Sequence, residues 1–523
     1  MKTVLRIALT VIASASFAAR AAETVRPNVV FIIADDMTRD LMNWTPEGRG
    51  KNLTPNLDRL AAEGVILTGQ HIVSPVCTPS RFNCLTGRYA SRDRSPEFVR
   101  LAERAGQTII TWNAHILPDD PTLAKMLRTA GYRTGFVGKN HTMASPRPPK
   151  IAPEADAHAP EVAAKLRDYG TAMRGAVRAC GFDFAGAVYP GNAEQHRPAA
   201  LQVHNMDYVA QAGLEFLDEA KGGPFFLYFS PTLCHSPYPP RQSWNADPLA
   251  TPEGFLDKAP DVLPPRATLP ERLKKAGIPG RNKEMALWLD DAVGALLARL
   301  ERNGVLDRTI VFFFNDNGQE GKGSIYQCAT HNPSIVWRKG GFPCGRTCAA
   351  RVTNLDFAPT ILDLAGAPAP ADAFDGVSFR PALEGGPWKD RDALFFELGF
   401  TRGVLIGTWK YIAVRYPPNA EALVDLRKPE EYAPIAKIIA QKAGPNPPPY
   451  GHIGGNNNEF KTLKGQAAYF DADQLYDLSI DPGEQVNLAK KPEHAAKLAE
   501  MKTALKAHLD RMPGGFADLK PAR

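Results

Sequence analysis

At 523 residues the chain is long enough for one large domain and a smaller one, and with 44% hydrophobic and 23% charged residues it reads as an ordinary soluble globular protein. The formal net charge of +6 falls to +3 when Lys2, Arg6 and Arg20 leave with a leader segment, too little to imply nucleic acid as a partner. Beyond the leader no stretch approaches the roughly 20 apolar residues that a membrane span needs, so no membrane span is expected.

Lys2 and Arg6 precede an apolar run at 7–17, and Ala19-Arg20-Ala21 fits a small-x-small cleavage site. Residues 1–21 therefore read as a secretory signal, and the mature protein as exported, periplasmic or secreted. The run 27–34 is apolar without alternation, as a strand buried on both faces is, and it leads straight into Asp35 and Asp36. Open α/β sheets place their ligands at that edge. The plainer reading of the acidic pair is a cap on the next turn. Thr54 and Pro55 then open a helix over 56–63 that Gly64 stops.

Residues 73–92 carry the densest pattern. Thr78 is placed as an N-cap and Pro79 as the first helical residue, so Cys77 stands just ahead of a helix N-terminus. Free backbone N–H groups and the helix dipole favour an anion there. Arg81 follows about one turn later and can return its guanidinium toward the same point. The bland alternative is a buried structural cysteine beside a solvated arginine. Arg88, Arg92, Arg94, Arg100 and Arg104 follow, either as a solvated face or as a surface that steers a polyanion.

A helix over 121–130 ends at Gly131, and a short strand over 132–137 leads to Lys139 and His141. Two residues apart in extended backbone, these side chains point the same way, as an anion-binding and proton-transfer pair would. The Pro/Ala-rich stretch 144–160 reads as a surface loop, and 203–221 as a helix. The run 224–230 is a second buried strand, followed by a Pro-flanked loop that presents His235. A long amphipathic helix covers 282–303. The run 309–314 is a third buried strand; it delivers Asn315, Asp316 and Asn317, with Lys322 after a Gly-rich turn. Strand–helix alternation predicts an α/β fold, a large and mostly parallel sheet sandwiched by helices over 22–385. A smaller C-terminal subdomain over 386–523 is expected to hold an antiparallel sheet (393–397, 403–406, 409–415), a long Pro/Asn/Gly-rich excursion at 417–465 and a last helix at 493–511.

Seven cysteines are an odd count for an exported protein. With Cys77 set apart, Cys84, Cys180, Cys234, Cys328, Cys344 and Cys348 remain, enough for three bridges, and Cys344 and Cys348 are spaced to close a small loop. No second pair stands near them to complete a zinc site. Asp35, Asp36, Asp316 and Asn317 offer hard oxygen donors, which suit Ca²⁺ or Mg²⁺ better than zinc or copper. A thiolate at Cys77 is a poor neighbour for such an ion.

Cys77, Pro79, Ser80 and Arg81, followed by Leu85, Thr86, Gly87 and Arg88, resemble the signature of the type I, formylglycine-dependent sulfatases of the alkaline phosphatase superfamily. The likeness continues in chain order through Asp35/Asp36, Lys139/His141, His235, Asp316/Asn317 and Lys322 to a tail with Leu475-Tyr476-Asp477-Leu478, Asp481-Pro482-Gly483-Glu484 and Asn487-Leu488. It departs at Cys84, where the family has another small or apolar residue, and at Thr330-His331-Asn332-Pro333, where His331 is expected to mark a substrate contact. The resemblance implies that a formylglycine-generating enzyme oxidises Cys77 to an aldehyde during export and that the aldehyde hydrate is the nucleophile. It implies Ca²⁺, with Mg²⁺ the lesser fit, held by Asp35, Asp36, the modified Cys77, Asp316 and Asn317. Asp316 would help deprotonate the hydrate, Arg81 hold it, and Lys139, Lys322 and His235 neutralise developing charge. His235 or Lys322 would protonate the leaving alcohol, and His141 would take the proton that releases sulfate.

Two rivals share these residues. One is a phosphonate monoester or phosphodiester hydrolase of the same superfamily. The other is a non-catalytic binder of sulfated glycans with an unmodified thiol. Export and long loops point to a sulfated carbohydrate as the partner.

Overall fold

The computed structural model describes residues 26–237, 243–278, 283–420, 451–453 and 459–521. The expected signal at 1–21 and most of the 417–465 excursion lie outside them. The elements that shape the molecule are β1 (Asn28–Ala34), α1 (Pro55–Glu63), β2 (Val65–Leu67), α2 (Cys77–Thr86), α3 (Leu123–Thr129) and β3 (Arg133–Lys139). They continue as α4 (Pro160–Ala179), β4 (Phe184–Tyr189), α5 (Met206–Ala220), β5 (Phe225–Ser230), α6 (Lys283–Arg302), β6 (Thr309–Asn315), β7 (Ser334–Arg338), β8 (Thr347–Cys348) and α7 (Phe357–Leu364). A second group follows: β9 (Leu394–Leu398), β10 (Thr401–Ile406), β11 (Trp409–Val414), β12 (Asp473–Asp477) and α8 (Ala495–Leu509).

The large sheet has eight strands in the order β8-β2-β7-β6-β1-β5-β3-β4. All run parallel except β7, which is antiparallel to both of its neighbours. Every residue of β1, β5 and β6 is buried, which is what a sheet covered on both faces demands of its central strands. Side chains alternate between two cores: Val29, Phe31 and Ile33 face the layer that holds α2, α3, α4 and α7, while Val30, Ile32 and Ala34 face α1, α5 and α6. In the first layer Phe136, Tyr228, Phe31 and Phe312 stand side by side on β3, β5, β1 and β6, with ring centroids 5.5–6.0 Å apart. This aromatic row locks the register of the four strands whose ends build the site.

The strands expected from apolar runs form within two residues of their predicted limits. The helix over 160–179 and β4 were not anticipated: α4 buries Val162, Leu166, Gly170, Met173 and Val177 at regular helical spacing, a stripe interrupted by Gly170, and β4 is small-residue rich. None of the seven cysteines is paired. Cys234 lies on the opposite face of the sheet from Cys84 and Cys180, which keeps it from bridging either, Cys344 and Cys348 stand side by side as free thiols, and the expected set of three bridges does not form. Among the described residues no helix is long and apolar enough to cross a membrane.

The four-stranded antiparallel sheet β9-β10-β11-β12 is packed by α8 on one side and faces the catalytic layer on the other. Buried polar contacts join the two sheets. Glu397 of β9 accepts a hydrogen bond from the Ser91 amide at 3.0 Å, and Arg402 of β10 donates to the Thr108 carbonyl at 2.7 Å. His508 of α8 lies flat on Phe395 with ring centroids 3.9 Å apart and meets Tyr89 edge-on at 4.9 Å. Burial, with Arg511, Arg92, Arg402 and Lys520 nearby, lowers this imidazole to about 3. The folded value lies below the ordinary histidine range, so in acid the unfolded chain takes up a proton at residue 508 that the folded chain refuses. Stability is therefore full above about pH 6.5 and is lost as the pH falls toward 3. His508→Phe is expected to remove up to about 1.4 kcal/mol per pH unit of that slope between about pH 6 and 4, read from urea unfolding of both proteins.

Candidate active site

Because β1, β3, β5 and β6 are parallel, their C-terminal ends come out on one edge, and each carries part of the site. β1 ends in Asp35 and Asp36, β3 in Lys139, β5 in Ser230 with His235 five residues on, and β6 in Asn315, followed by Asp316 and Asn317. Asp36 adopts φ 56°, a left-handed turn rare outside glycine that folds its carboxylate back over the strand end. Asn315 clips the two central strand ends together, accepting from Met37 N at 3.0 Å and donating to Met37 O at 2.8 Å. Across the edge lies the N-terminus of α2, with Cys77 as its first residue.

That helix starts earlier than its sequence suggests. Val76 occupies the N-cap position, Thr78 makes no capping bond, and Pro79 is the third helical residue. Proline is tolerated there because the first-turn amides have no intrahelical acceptor in any case. Gly87 closes the helix in a left-handed cap, φ 63°, its amide bonded to Asn83 O at 2.8 Å. Asn354 fixes the start of the helix in space, accepting from Val73 N at 3.0 Å and donating to Ser80 O at 3.3 Å.

Ligand atoms of Asp35, Asp36, Cys77 and Asp316 all lie within 4.8 Å of one another, and all four residues are buried. Around them Arg81, Lys139 and Lys322 are each 1% exposed. Lys139 Nζ is bonded to Asp35, and Lys322 Nζ reaches both Asp36 oxygens at 2.7 and 2.6 Å. Arg81 holds Asp316 Oδ2 through Nε and Nη2 at 3.2 and 3.0 Å and lies 3.7 Å from Asp35. Asn317 Nδ2 donates to Asp36 at 2.8 Å and to Asp316 at 2.7 Å. His235 Nε2 is 3.5 Å from Asp36 Oδ2. Cys77 Sγ donates to Asp35 Oδ1 at 3.3 Å.

The electrostatics follow from this packing. Burial opposes the charge on Asp35, but Lys139, His235, Arg81 and Lys322 together hold it well below the usual carboxylate range. Asp36 is lowered against its own burial by Lys322 and His235. Asp316, buried and crowded by Asp35, is instead pushed up to about 7. Burial, Asp316 and Asp35 push the Cys77 thiol well above its ordinary value, so a thiolate is strongly disfavoured here. Burial and the Lys139 ammonium hold the His141 imidazole well below its usual range, and its Nδ1 has no hydrogen-bond partner.

A hard cation fits the donors. Three buried carboxylates converge, and Asn317 Oδ1 beside them is buried without any hydrogen-bond partner, an orphan that a metal ion would satisfy. A neutral thiol in that ring is the one mismatched donor.

A sequence model of the family described as Sulfatase matches residues 27–367. The chain belongs to the sulfatase family. Human arylsulfatase A is 27% identical over 518 residues, spanning 92% of this chain and 88% of its own length. The N-acetylgalactosamine-6-O-sulfatase of Bacteroides thetaiotaomicron is 26% identical over 536 residues, spanning 92% and 93%. A solved structure from the glycosaminoglycan metabolism of Bacteroides thetaiotaomicron superposes with a TM-score of 0.59 at 21% identity, covering 93% of this chain and 100% of that one. The phosphonate monoester hydrolase of Agrobacterium radiobacter does so with 0.57 at 20%, covering 92% and 96%. At such identities the structural likeness is one of fold.

In this sulfatase most of the residues singled out from sequence meet at one point. His331 does not: its ring packs against His71 with centroids 5.1 Å apart, and its Nε2 donates to Thr68 O at 2.8 Å. Of the arginines after the signature, Arg92 is paired with Asp375, and Arg94, half exposed, with Asp119 and Asp120. Sequence reading missed Ser230, whose Oγ accepts from Arg81 Nη1 and donates to Lys139 O at 2.9 Å. It missed His204, bonded to Thr232 Oγ1 at 2.7 Å and to His235 O at 2.9 Å, which steadies the loop behind His235. It also missed Glu194, 3.8 Å from His235 Nδ1. A lone serine, histidine or glutamate carries no local signal of such a role; for Ser230 the one available clue was its place at the end of a buried strand.

Gly138 lets the end of β3 approach β5. It has φ 101°, and a Cβ there would stand 2.1 Å from Ser230 O. Gly138→Ala is expected to cost at least about 2 kcal/mol in urea unfolding and to displace Lys139, lowering kcat well beyond what the stability loss explains.

Proposed function

We propose that this sulfatase is exported and hydrolyses a sulfate ester carried on a carbohydrate, with Cys77 matured to formylglycine and Ca²⁺ in the carboxylate cluster. The observation that carries the reading is the convergence of Asp35, Asp36, Asp316, Asn317 and residue 77 inside a collar of Arg81, Lys139 and Lys322. An unmodified thiol is a poor nucleophile there, because it is buried among carboxylates that oppose its ionisation. An aldehyde at residue 77, once hydrated, supplies instead a hydroxyl nucleophile and an oxygen that suits a hard cation. Bound Ca²⁺ supplies positive charge that acidifies a nearby hydroxyl and attracts the sulfate oxygens.

The chain's own groups then divide the work. Asp316 accepts the proton from the residue-77 hydroxyl while Arg81, bonded to Asp316, keeps the two aligned. Lys139 and Lys322, each anchored on a carboxylate of the cluster, present ammonium groups to the sulfate oxygens as charge builds in the transition state. The free amides of the α2 N-terminus face the same anion. His235, on the open side of the cluster, delivers a proton to the departing alcohol, with Lys322 as the second candidate. His141, held neutral and with Nδ1 unpaired, takes the proton whose loss frees sulfate. A carbohydrate substrate is supported by relatives named as hexosamine sulfatases, and by the fold shared with a structure described in complex with D-glucosamine-2-N,6-O-disulfate.

Cys77→Ala is expected to lower kcat/KM for a sulfate ester by at least about 10⁴-fold, with the unfolding midpoint little changed. Mass spectrometry of tryptic peptide 60–81 from exported, active protein is expected to find the aldehyde or its hydrate; an ordinary cysteine in fully active protein would sink the nucleophile assignment. Stripping the metal with a chelator is expected to abolish sulfate release. Ca²⁺ returned at a hundredfold excess over its dissociation constant would restore activity and add about 2.7 kcal/mol of stability. p-Nitrophenyl phenylphosphonate, a phosphonate monoester, run beside the sulfate ester, tests the phosphonate hydrolase reading, which predicts the faster turnover there.

A further inference from the structure

We infer that Glu194 determines which sugar this site accepts: its carboxylate takes a hydrogen bond from a hydroxyl, amide or ammonium group of the sulfated residue and keeps a second anionic group away from that side. The inference rests on the sulfatase reading above and concerns the part of the substrate beyond the sulfate.

Glu194 sits in a short turn after β4 that is tightly held. Across the turn Asn192 N donates to Gln195 Oε1 at 3.3 Å and Gln195 N donates to Asn192 O at 3.0 Å, and Ala193 between them is fully buried. Gly191 has φ 150°, and a Cβ there would meet Gln195 Oε1 at 2.7 Å. On the far side Gln202 Nε2 donates to His196 O at 3.0 Å. The turn therefore fixes the backbone from which Glu194 projects toward His235. Its Oε2 is shut off from solvent and has no hydrogen-bond partner. His235 Nδ1 lies 3.8 Å away, beyond hydrogen-bond range, and that nitrogen already has Ser236 O at 3.0 Å and Ser236 Oγ at 3.1 Å.

The two nitrogens of His235 thus look onto two different carboxylates. Nε2 faces Asp36 and the cluster, whereas Nδ1 faces Glu194. The leaving alcohol departs past His235, so the ring that bears it comes to rest within reach of Glu194. The Glu194 side chain is 38% exposed, so its open oxygen is within reach of a donor from the sugar, and a hydrogen bond to a charged acceptor is among the stronger ones. A carboxylate or second sulfate placed there would meet like charge. The substrate class is a sulfated sugar with a free hydroxyl or amino-derived group beside the sulfate and no further anion on that face.

The test compares wild type, Glu194→Ala and Glu194→Gln on three esters: a neutral N-acetylhexosamine sulfate, the same sugar bearing a second sulfate, and p-nitrophenyl sulfate, which has no donor to offer. For Glu194→Ala the ratio of kcat/KM on the neutral sugar to that on the aryl ester is expected to fall about tenfold, with the loss in KM. For Glu194→Gln the ratio of disulfated to neutral sugar is expected to rise severalfold, a gain that a merely structural role does not produce. Unchanged ratios, or equal losses on all three esters, overturn the inference. So does a wild type that cleaves the aryl ester but neither sugar. A wild type that cleaves none of the three overturns the sulfatase reading instead.

Discussion

The structure turns on burying three carboxylates and three cations together at the end of a parallel sheet. Asp35, Asp36 and Asp316 are matched one for one by Lys139, Lys322 and Arg81, with almost no water access. Any one of these charges alone would be expelled from such a place or neutralised. Held as a set they are tolerable, and the cost of removing one partner is that another is left buried and unpaired. A divalent cation added to this balanced set leaves the pocket positive, which suits it to an anionic ester. The rest of the fold exists in large part to hold these six groups still.

That holding is done by elements with no chemistry of their own. The aromatic row Phe136-Tyr228-Phe31-Phe312 sets the relative height of four strands, and hence of the groups at their ends. Asn315 and Asn354 are polar clamps that tie loops from distant parts of the chain. Two strained positions lie at this edge: Asp36 is left-handed, and Gly138 allows a backbone approach that no side chain would permit. Strain of this kind persists only where surrounding packing over-determines it.

The second sheet contributes differently. An apolar face, Phe396, Leu398, Leu405 and Ile412 against Val76, Ile325 and Tyr326, joins it to the catalytic layer, and Glu397, Arg402 and His508 add buried polar and aromatic contacts. Its tail returns Glu484 to a buried pair with Lys410 at 2.9 Å, and Glu484 also accepts from the Gln327 amide, in the segment just after Lys322. The motif near the C-terminus, which reads as a family mark in the sequence, is thus a structural tie to the loop that carries a candidate anion-binding lysine.

How much of this was legible beforehand depended on the range of the physics involved. Apolar runs and the residues that end them are local, so 27–34, 224–230 and 309–314 announced buried strands and placed Asp35, Asp36, Asp316 and Asn317 at their ends; the peptide from Cys77 to Arg88 supplied the family resemblance. Only the tertiary structure decided the rest. It began α2 at Cys77 rather than after Thr78, left all seven thiols unpaired, turned His331 toward His71, and brought Ser230, His204 and Glu194 to the site. Hydrophobic periodicity is written in neighbouring residues, whereas a hydrogen bond between residues 81 and 230, or an orphaned oxygen at 194, exists only once strands far apart in sequence have taken their register.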